Sequence, residues 1–180
     1  EEYQILSELL ATKVIVPVKG IKKQLLNNVM ENAKNNIDNL QKMRLIEIEK
    51  TKKPLEDLAK LLDINYPKVI ELFDNSNIQG ATPVSAMVRY VDGKPSYKDY
   101  RKYKVKTVKG PDDYHTMMEV IERRYKRLLV ENANLPDMII VDGGKTQVKA
   151  ASIVLKKLNI ENEITLIGLL KDDHHRTRGM

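Results

Sequence analysis

Residues 68–77, KVIELFDNSN, and residues 136–145, PDMIIVDGGK, are two short apolar runs of the same kind. Each run ends in an aspartate, Asp74 or Asp142, and turn-forming residues follow at once. A short apolar run bounded by turn residues predicts a buried β-strand. If the two strands lie side by side and parallel, their carboxyl ends meet at one edge of the sheet. The two carboxylates are then expected to project together at that edge.

The elements around these two runs predict a mixed sheet. Residues 84–91 and 96–106 flank the turn sequence DGKP at 92–95, which is a strong hairpin signal. A helix is then predicted to begin at GPDD, 110–113, and a second helix over 145–158 precedes a last strand over 163–170. Three antiparallel strands followed by two helix–strand units predict an α/β domain over residues 67–180. Its five-stranded mixed sheet with flanking helices has the element order of the ribonuclease H-like fold.

Residues 1–66 predict a small, mainly helical N-terminal segment. A short strand is expected at 14–18, and apolar residues then recur at helical spacing from Ile21 to about Glu49. The sequence KTKK, 50–53, is expected to interrupt this helix, because Pro54 suits the first turn of a second helix. Many asparagines lower the propensity of the long helix, so we expect packing to hold it as core and scaffold without a catalytic role.

Composition narrows the class of protein. The chain of 180 residues carries a net charge of +6, which favours a polyanionic partner. It has no cysteine, which excludes disulfides and zinc–thiolate sites and fits a reducing, cytoplasmic location. The first residues do not resemble a signal peptide, and the longest apolar stretches are too short to span a bilayer. The last residues, RTRGM, form no closing element, so we expect a piece of a longer protein.

Two adjacent carboxylates point to a metal site. Asp74 and Asp142 would repel each other unless a cation lay between them, and oxygen ligands of this kind suit Mg²⁺ or Mn²⁺. In a basic chain, the natural substrate of such a metal is a phosphodiester. The alternative for each aspartate is an ordinary strand-end residue that bonds the following turn. Asp113 has two open interpretations, a further metal-site carboxylate or a helix-start residue that stabilises the dipole.

Basic residues supply candidate DNA contacts. Alternation along the strand at 97–106 places a row of lysines on one face and Arg101 on the other, the row being Lys98, Lys102, Lys104 and Lys106. The row either tracks a phosphate backbone or is a solvated face that protects an edge strand. Lys145 either simply begins a helix or reaches a phosphate. A second basic cluster is expected on the solvated face of a helix, and its members are Arg123, Arg124, Lys126 and Arg127.

From about Val16 onwards the chain resembles the C subunits of bacterial UvrABC excinucleases. Seven blocks in the same order carry the resemblance: FDNSN (73–77), PVSAMV (83–88), YRKYKVK (100–106), GPDDY (110–114), ERRY (122–125), DGGKTQ (142–147) and KDDHHRT (171–177). The resemblance implies a ribonuclease H-like endonuclease domain that makes the incision 5′ to a lesion in nucleotide excision repair. It also implies a divalent metal, a damaged double-stranded DNA substrate, and the helicase subunit of the excinuclease as partner.

Site residues are transferred from the family one by one. Asp74 and Asp142 match its metal-binding catalytic carboxylates, and Asp113 matches an acidic position associated with activity. Lys145, Lys102, Lys104 and Arg101 are the basic residues that we expect to contact DNA. The catalytic histidine of the family lies in an Asp-Glu-x-His-Arg stretch downstream of Met180, so an incomplete site is expected. His174 and His175 belong to an earlier block.

Two other functions are compatible with the pattern. One is a catalytically silent, ribonuclease H-like module for DNA binding or scaffolding, which would not bind Mn²⁺ through Asp74 and Asp142. The other is a doubly wound phosphoacceptor or nucleotide-binding domain, which three leading antiparallel strands disfavour because such folds are mostly parallel.

Overall fold

The structure is a computed structural model, which describes residues 2–76, 84–108, 112–171 and 177–179. The chain divides into two compact units, residues 1–49 and residues 50–180. The predicted domain boundary between residues 66 and 67 stays a prediction. None of the described helices combines the length and the apolar character that a membrane crossing requires.

The N-terminal residues form two helices, α1 (Glu2–Leu9) and α2 (Ile21–Leu62). The strand expected at 14–18 does not form. The expected break at 50–53 is also absent, because lysines are good helix formers and α2 continues through Pro54. Beyond Pro54, the buried Leu55 packs with Ile70 and Met138, and this tertiary contact holds the helix where local propensity disfavours it.

The apolar residues of α2 within residues 1–49 do not form the core that we expected from their spacing. Ile21, Val29 and Leu40 are 76%, 62% and 65% exposed. Helical periodicity predicted the helix correctly here, but it did not predict burial.

A mixed sheet forms the centre of the second unit. Its strands are β1 (Val69–Ser76), β2 (Val84–Val91), β3 (Lys94–Pro95), β4 (Arg101–Lys104), β5 (Met138–Asp142), β6 (Thr165–Lys171) and β7 (Thr177–Gly179). The order is β3-β2-β1-β5-β6-β7, and β4 also pairs with β2. The pairs β1–β5 and β5–β6 are parallel, whereas β1–β2, β2–β4 and β6–β7 are antiparallel. The predicted mixed sheet is confirmed, with β3 and β7 as short additions to the five expected strands.

The third expected strand, 96–106, is shorter than predicted. A single turn of 3₁₀-helix occupies Tyr97–Asp99, because the Ser96 hydroxyl donates to the Asp99 carboxylate at 2.7 Å and the Asp99 N–H donates to the Ser96 carbonyl at 2.9 Å. At the other end, the main-chain N–H groups of Lys106 and Thr107 donate to the Glu119 side chain. Side chains therefore end the strand where alternation alone predicted its continuation.

Two helices, α3 (Asp113–Val130) and α4 (Lys145–Lys157), cover one face of the sheet. The main core lies between them and the strands. It includes Phe73, Met117, Val141 and Val154, all of which are fully buried. The other face carries a smaller cluster around Leu55 of α2. Burial on both faces explains why β1 and β5 are nearly continuous apolar runs.

A buried carboxylate joins β1 to α3. Glu71 is fully buried, and its two oxygens accept hydrogen bonds from Arg124 at 2.5 and 3.1 Å. The Tyr125 hydroxyl donates to it at 2.9 Å, and Arg89 of β2 donates at 3.2 Å. Burial, with the charge of Glu71, raises the pKa of Tyr125 well above its ordinary value, so the hydroxyl stays protonated and remains a donor. Such full pairing is what a buried charge requires.

The Glu71 cluster gives a stability prediction. Tyr125→Phe keeps the ring and removes one hydrogen bond to a buried charge, so the free energy of unfolding should fall by about 1.5–3 kcal/mol. The control is Tyr97→Phe, because the Tyr97 side chain is 74% exposed and its loss should stay within about 0.5 kcal/mol. Urea denaturation measures both. Equal losses of unfolding free energy in the two variants would show that the Tyr125 hydrogen bond does not stabilise the Glu71 cluster.

Candidate active site

Asp74 and Asp142 occupy equivalent places on neighbouring strands. β1 and β5 run parallel with Phe73 opposite Val141, so the next residue on each strand is an aspartate. Adjacent strands lie about 4.8 Å apart, which brings the two main chains together at the carboxyl end of the sheet. Alternation along β1 and β5 also places both aspartates on the same face. The Asp74 side chain is exposed and that of Asp142 is half-buried, so solvent reaches the pair.

The main chain at Asp74 is held by β2. Asp74 lies opposite Ala86, and the hydroxyl of the neighbouring Ser85 donates to the Asp74 carbonyl at 3.1 Å. Ser85 is fully buried, so this hydrogen bond is protected from competition with water. Sequence reasoning did not identify Ser85, because nothing in the PVSAMV block distinguishes a positioning hydroxyl from an ordinary strand residue.

Asp113 begins α3 beside the end of β1. The side-chain amide of Asn75 donates to the Asp113 carbonyl at 3.2 Å, which brings the start of the helix to the residue that follows Asp74. The N-cap is Asp112, whose carboxylate accepts the His115 N–H at 3.0 Å. That hydrogen bond is the main reason why the pKa of Asp112 lies below its ordinary value. Capping is therefore done by Asp112, and Asp113 is an exposed residue of the first turn.

The turn after Asp142 depends on close main-chain packing. Gly143 has φ of +148°, a conformation that favours glycine, and its N–H donates to the Leu169 carbonyl at 3.1 Å. A Cβ on Gly168 of β6 would lie only 2.6 Å from the Gly143 carbonyl oxygen. Gly144 caps α4 without a side-chain hydrogen bond, and the exposed Lys145 follows at the helix start. Helix N–H groups without a side-chain hydrogen bond and the positive charge of a lysine both favour binding of an anion.

Lys102 of β4 lies in the same row across the sheet as Asp74, and Lys104 lies two residues further along β4. Lys102 is opposite Ala86, which is itself opposite Asp74, and Lys104 is opposite Val84. Both lysines are exposed. Arg101 is also exposed, but its guanidinium donates to the carbonyls of Lys98 and Tyr100 at 2.9 and 2.8 Å. The 3₁₀ turn at Tyr97–Asp99 separates Lys98 from the row in which sequence alternation placed it.

The basic cluster of α3 is only in part the solvated face that we expected, because Lys126 and Arg127 are exposed whereas Arg124 is buried. Arg124 is buried against Glu71, and Arg123 lies 5.6 Å from the centre of the Tyr103 ring. The other two residues form ion pairs along the helix, Lys126 with Glu122 and Arg127 with Glu131. The periodicity carried a signal for Arg124, because it lies three residues after the buried Ile121 and four before the buried Leu128.

The residues present fit a metal site with two protein carboxylates. Asp74 and Asp142 offer oxygen ligands of the type that Mg²⁺ and Mn²⁺ prefer. Within residues 2–76, 84–108, 112–171 and 177–179, no group of three or more His, Asp or Glu side chains is arranged to hold a metal ion. His174, His175, Gly110 and parts of the other motif blocks lie outside the described residues.

Residues 59–180 match the family model for the UvrC RNase H endonuclease domain. The chain belongs to this family. UvrABC system protein C of Streptococcus gordonii is 51% identical over 168 residues, and that of Streptococcus pneumoniae is 50% identical over 171 residues. These alignments cover 92% and 94% of the chain but only 27% of each relative, so the chain spans about a quarter of their length.

Solved structures with a related architecture are endonucleases V. The protein from Ciona intestinalis in complex with an inosine-containing DNA is 20% identical with a TM-score of 0.44, covering 72% of this chain and 58% of that one. Human endonuclease V is 12% identical with a TM-score of 0.45, covering 60% of this chain and 47% of that one.

The packing of the turn after Asp142 is testable with two alanine substitutions. In Gly168→Ala the new Cβ meets a main-chain oxygen that cannot move aside, so the free energy of unfolding should fall by about 1–3 kcal/mol. In Gly144→Ala the new Cβ meets only the end of the Leu170 side chain, at 2.9 Å, and that chain can rotate. The loss in Gly144→Ala should be the smaller one. Urea denaturation of the two variants decides, and the reverse order would refute this account of the turn.

Proposed function

We propose that this chain is the part of a UvrC protein that hydrolyses a DNA phosphodiester 5′ to a lesion during nucleotide excision repair, with Mg²⁺ or Mn²⁺ as cofactor. The observation that carries the proposal is the parallel register of β1 and β5, which puts Asp74 and Asp142 on one face and at one end of the sheet. Family membership supports the nuclease activity. The solvent-accessible position of the pair fits a phosphodiester substrate.

Each element of the site has a defined part in this reaction. Asp74 and Asp142 would hold the divalent ion, and a bound ion would supply Lewis-acid activation of water and neutralisation of charge on the phosphate. Ser85 fixes the main chain that carries Asp74, and Asn75 holds the start of α3 against it. Asp113, whose main-chain carbonyl is bound to Asn75, is proposed to contribute a further negative charge at this end of the sheet.

Basic residues beside the aspartates are proposed to bind the DNA backbone. Lys102 and Asp74 lie two strands apart in the same row, a separation of about 10 Å between main chains. A lysine side chain spans much of that distance, so Lys102 and Lys104 can bind phosphates next to the scissile one. Lys145 is placed to bind from the other side, at the start of α4. Arg101 contributes less, because part of its guanidinium is bound to its own turn.

Partners and location follow from the family rather than from the site. Damaged double-stranded DNA is the proposed substrate, and the helicase subunit of the excinuclease is the proposed partner in the full-length protein. A cytoplasmic location is consistent with both. Two carboxylates alone would leave most of the coordination of the ion to water, so we propose that the histidine implied by the family resemblance would complete the site.

A catalytically silent DNA-binding or scaffolding module is the competing function. It is favoured by the lack of a three-residue ligand group among the described residues. Metal binding separates the two functions, because a scaffold has no need of an ion between Asp74 and Asp142.

The metal proposal is tested by Asp74→Asn and Asp142→Asn in the full-length protein. Each substitution removes one ligand charge without changing size, so Mn²⁺ affinity should fall by more than about tenfold, the lower end of what even an outer-shell partner contributes. The 5′ incision should be lost while DNA binding persists. Asp113→Asn should have a smaller or equal effect.

The control for this test is Asp38→Asn, which removes an exposed carboxylate from α2. It should leave both Mn²⁺ affinity and incision unchanged. Incision at near wild-type rate by either Asp74→Asn or Asp142→Asn would refute the assignment.

The DNA contacts are tested by Lys102→Ala and Lys104→Ala. If each lysine binds a phosphate, each variant should bind every DNA sequence more weakly and lower the salt slope of binding by about one unit. Lys126→Ala is the control, because Lys126 is paired with Glu122 on α3. An unchanged slope in the β4 variants would favour a solvated face that protects the strand.

A further inference from the structure

Glu119 of α3 binds the chain that leaves β4. Its carboxylate accepts the Lys106 N–H at 2.9 Å, the Thr107 N–H at 2.8 Å and the Thr107 hydroxyl at 2.6 Å. Arg123, one turn along the helix, donates to the same carboxylate at 3.0 Å. Only 8% of the Glu119 side chain is exposed. Four donors on one nearly buried carboxylate form a specific main-chain clamp, which we call the Glu119 clamp.

Arg123 extends the Glu119 clamp to the end of β4 itself. The guanidinium of Arg123 donates to the Lys104 carbonyl at 2.9 Å and packs over the Tyr103 ring. The main chain is therefore held from the helix side at Lys104, Lys106 and Thr107. The lysine side chains of this segment remain exposed.

Burial and hydrogen bonding shift the pKa of Glu119 in opposite directions. Burial favours the neutral acid, but the hydrogen bonds from Thr107, from the Lys106 main chain and from Arg123 outweigh it, and the pKa of Glu119 lies below its ordinary value. Glu119 is therefore a carboxylate at neutral pH. Its charge is used within the clamp and does not face solvent.

The position of the Glu119 clamp relates it to the candidate site. The helix that carries Glu119 also carries Asp113 at its start, and β4 carries Lys102 in the row of Asp74. The clamp thus fixes the basic end of β4 to the helix whose first turn carries Asp113. Lysines held in this way lose less conformational freedom when they bind a phosphate, because their main chain is already ordered.

We propose that Glu119 is a positioning residue that holds Lys104 and Lys106 for the phosphate backbone of DNA, an inference that rests on the proposed function. The clamp acts through the main chain, so Glu119 itself touches no DNA. Glu122, three residues further on, differs in kind: it forms ion pairs with Lys126 and Lys157 on the helix surface.

The experiment compares Glu119→Gln with Glu122→Gln in the full chain. Both substitutions remove one negative charge from the same helix, so long-range electrostatics alone predicts equal or tighter DNA binding for both. The Glu119 clamp predicts instead that the two substitutions change DNA affinity in different directions. Glu119→Gln should bind a fluorescein-labelled DNA duplex more weakly and lower the salt slope by about one to two units, whereas Glu122→Gln should bind as tightly as wild type or more tightly.

Two further measurements separate positioning from general stability. Binding is measured below the unfolding temperature of each variant, and Mn²⁺ affinity should not change in Glu119→Gln because Asp74 and Asp142 are untouched. Thr107→Val removes one donor of the clamp and should weaken DNA binding in the same direction. Thr107→Ser keeps the hydroxyl and should bind DNA as wild type does. The two Thr107 variants replace Glu119→Gln as the test if Glu119→Gln fails to fold.

The outcomes are distinguishable. If wild type binds DNA with a salt slope and the Glu119 and Thr107 variants match it, the Glu119 inference is wrong and the proposed function stands. Equal losses of DNA and Mn²⁺ affinity would show a general loss of structure and would also overturn the inference. If wild type shows no salt-dependent DNA binding, both the inference and the proposed function fail.

Discussion

The pairing of the buried Glu71 carboxylate with Arg124 is the interaction on which the arrangement of the site depends. A charge without access to water costs several kcal/mol unless it is paired, so α3 is stable only where Arg124 and Tyr125 meet Glu71. Glu71 lies three residues before Asp74 on the same strand. The same interaction that stabilises the core therefore sets the position of α3 relative to the candidate metal ligands.

From that anchor, α3 organises three parts of the domain. Its start brings Asp113 to Asn75, its middle clamps the chain after β4 through Glu119, and its apolar face packs against Phe73. Two basic residues of α3 are engaged within the protein, Arg124 by Glu71 and Arg123 by Glu119. Exposed lysines beside the aspartates are Lys102 and Lys104 of β4 and Lys145 at the start of α4.

The parallel pairing of β1 with β5 supplies the other constraint. Parallel strands need a crossover, and α3 provides it, so the carboxyl ends of both strands lie at the same end of the sheet. Asp74 and Asp142 come together for this topological reason. Gly143 and Gly168 then let the turn after Asp142 pass close to β6, because Gly143 adopts a positive φ and a Cβ on Gly168 would meet the Gly143 carbonyl oxygen.

The sequence by itself determined the strands that carry Asp74 and Asp142, the hairpin and the two covering helices, because apolar periodicity and turn residues are local signals. Seven distinct motif blocks, in the same order as in the family, indicated the family. Only the tertiary structure decided that α2 continues through Pro54, that Asp112 rather than Asp113 caps α3, and that Glu119 ends β4. It also decided that Arg124 is buried, since its partner Glu71 lies 53 residues away in the chain. Hydrogen bonds over such separations depend on packing, which no local pattern records.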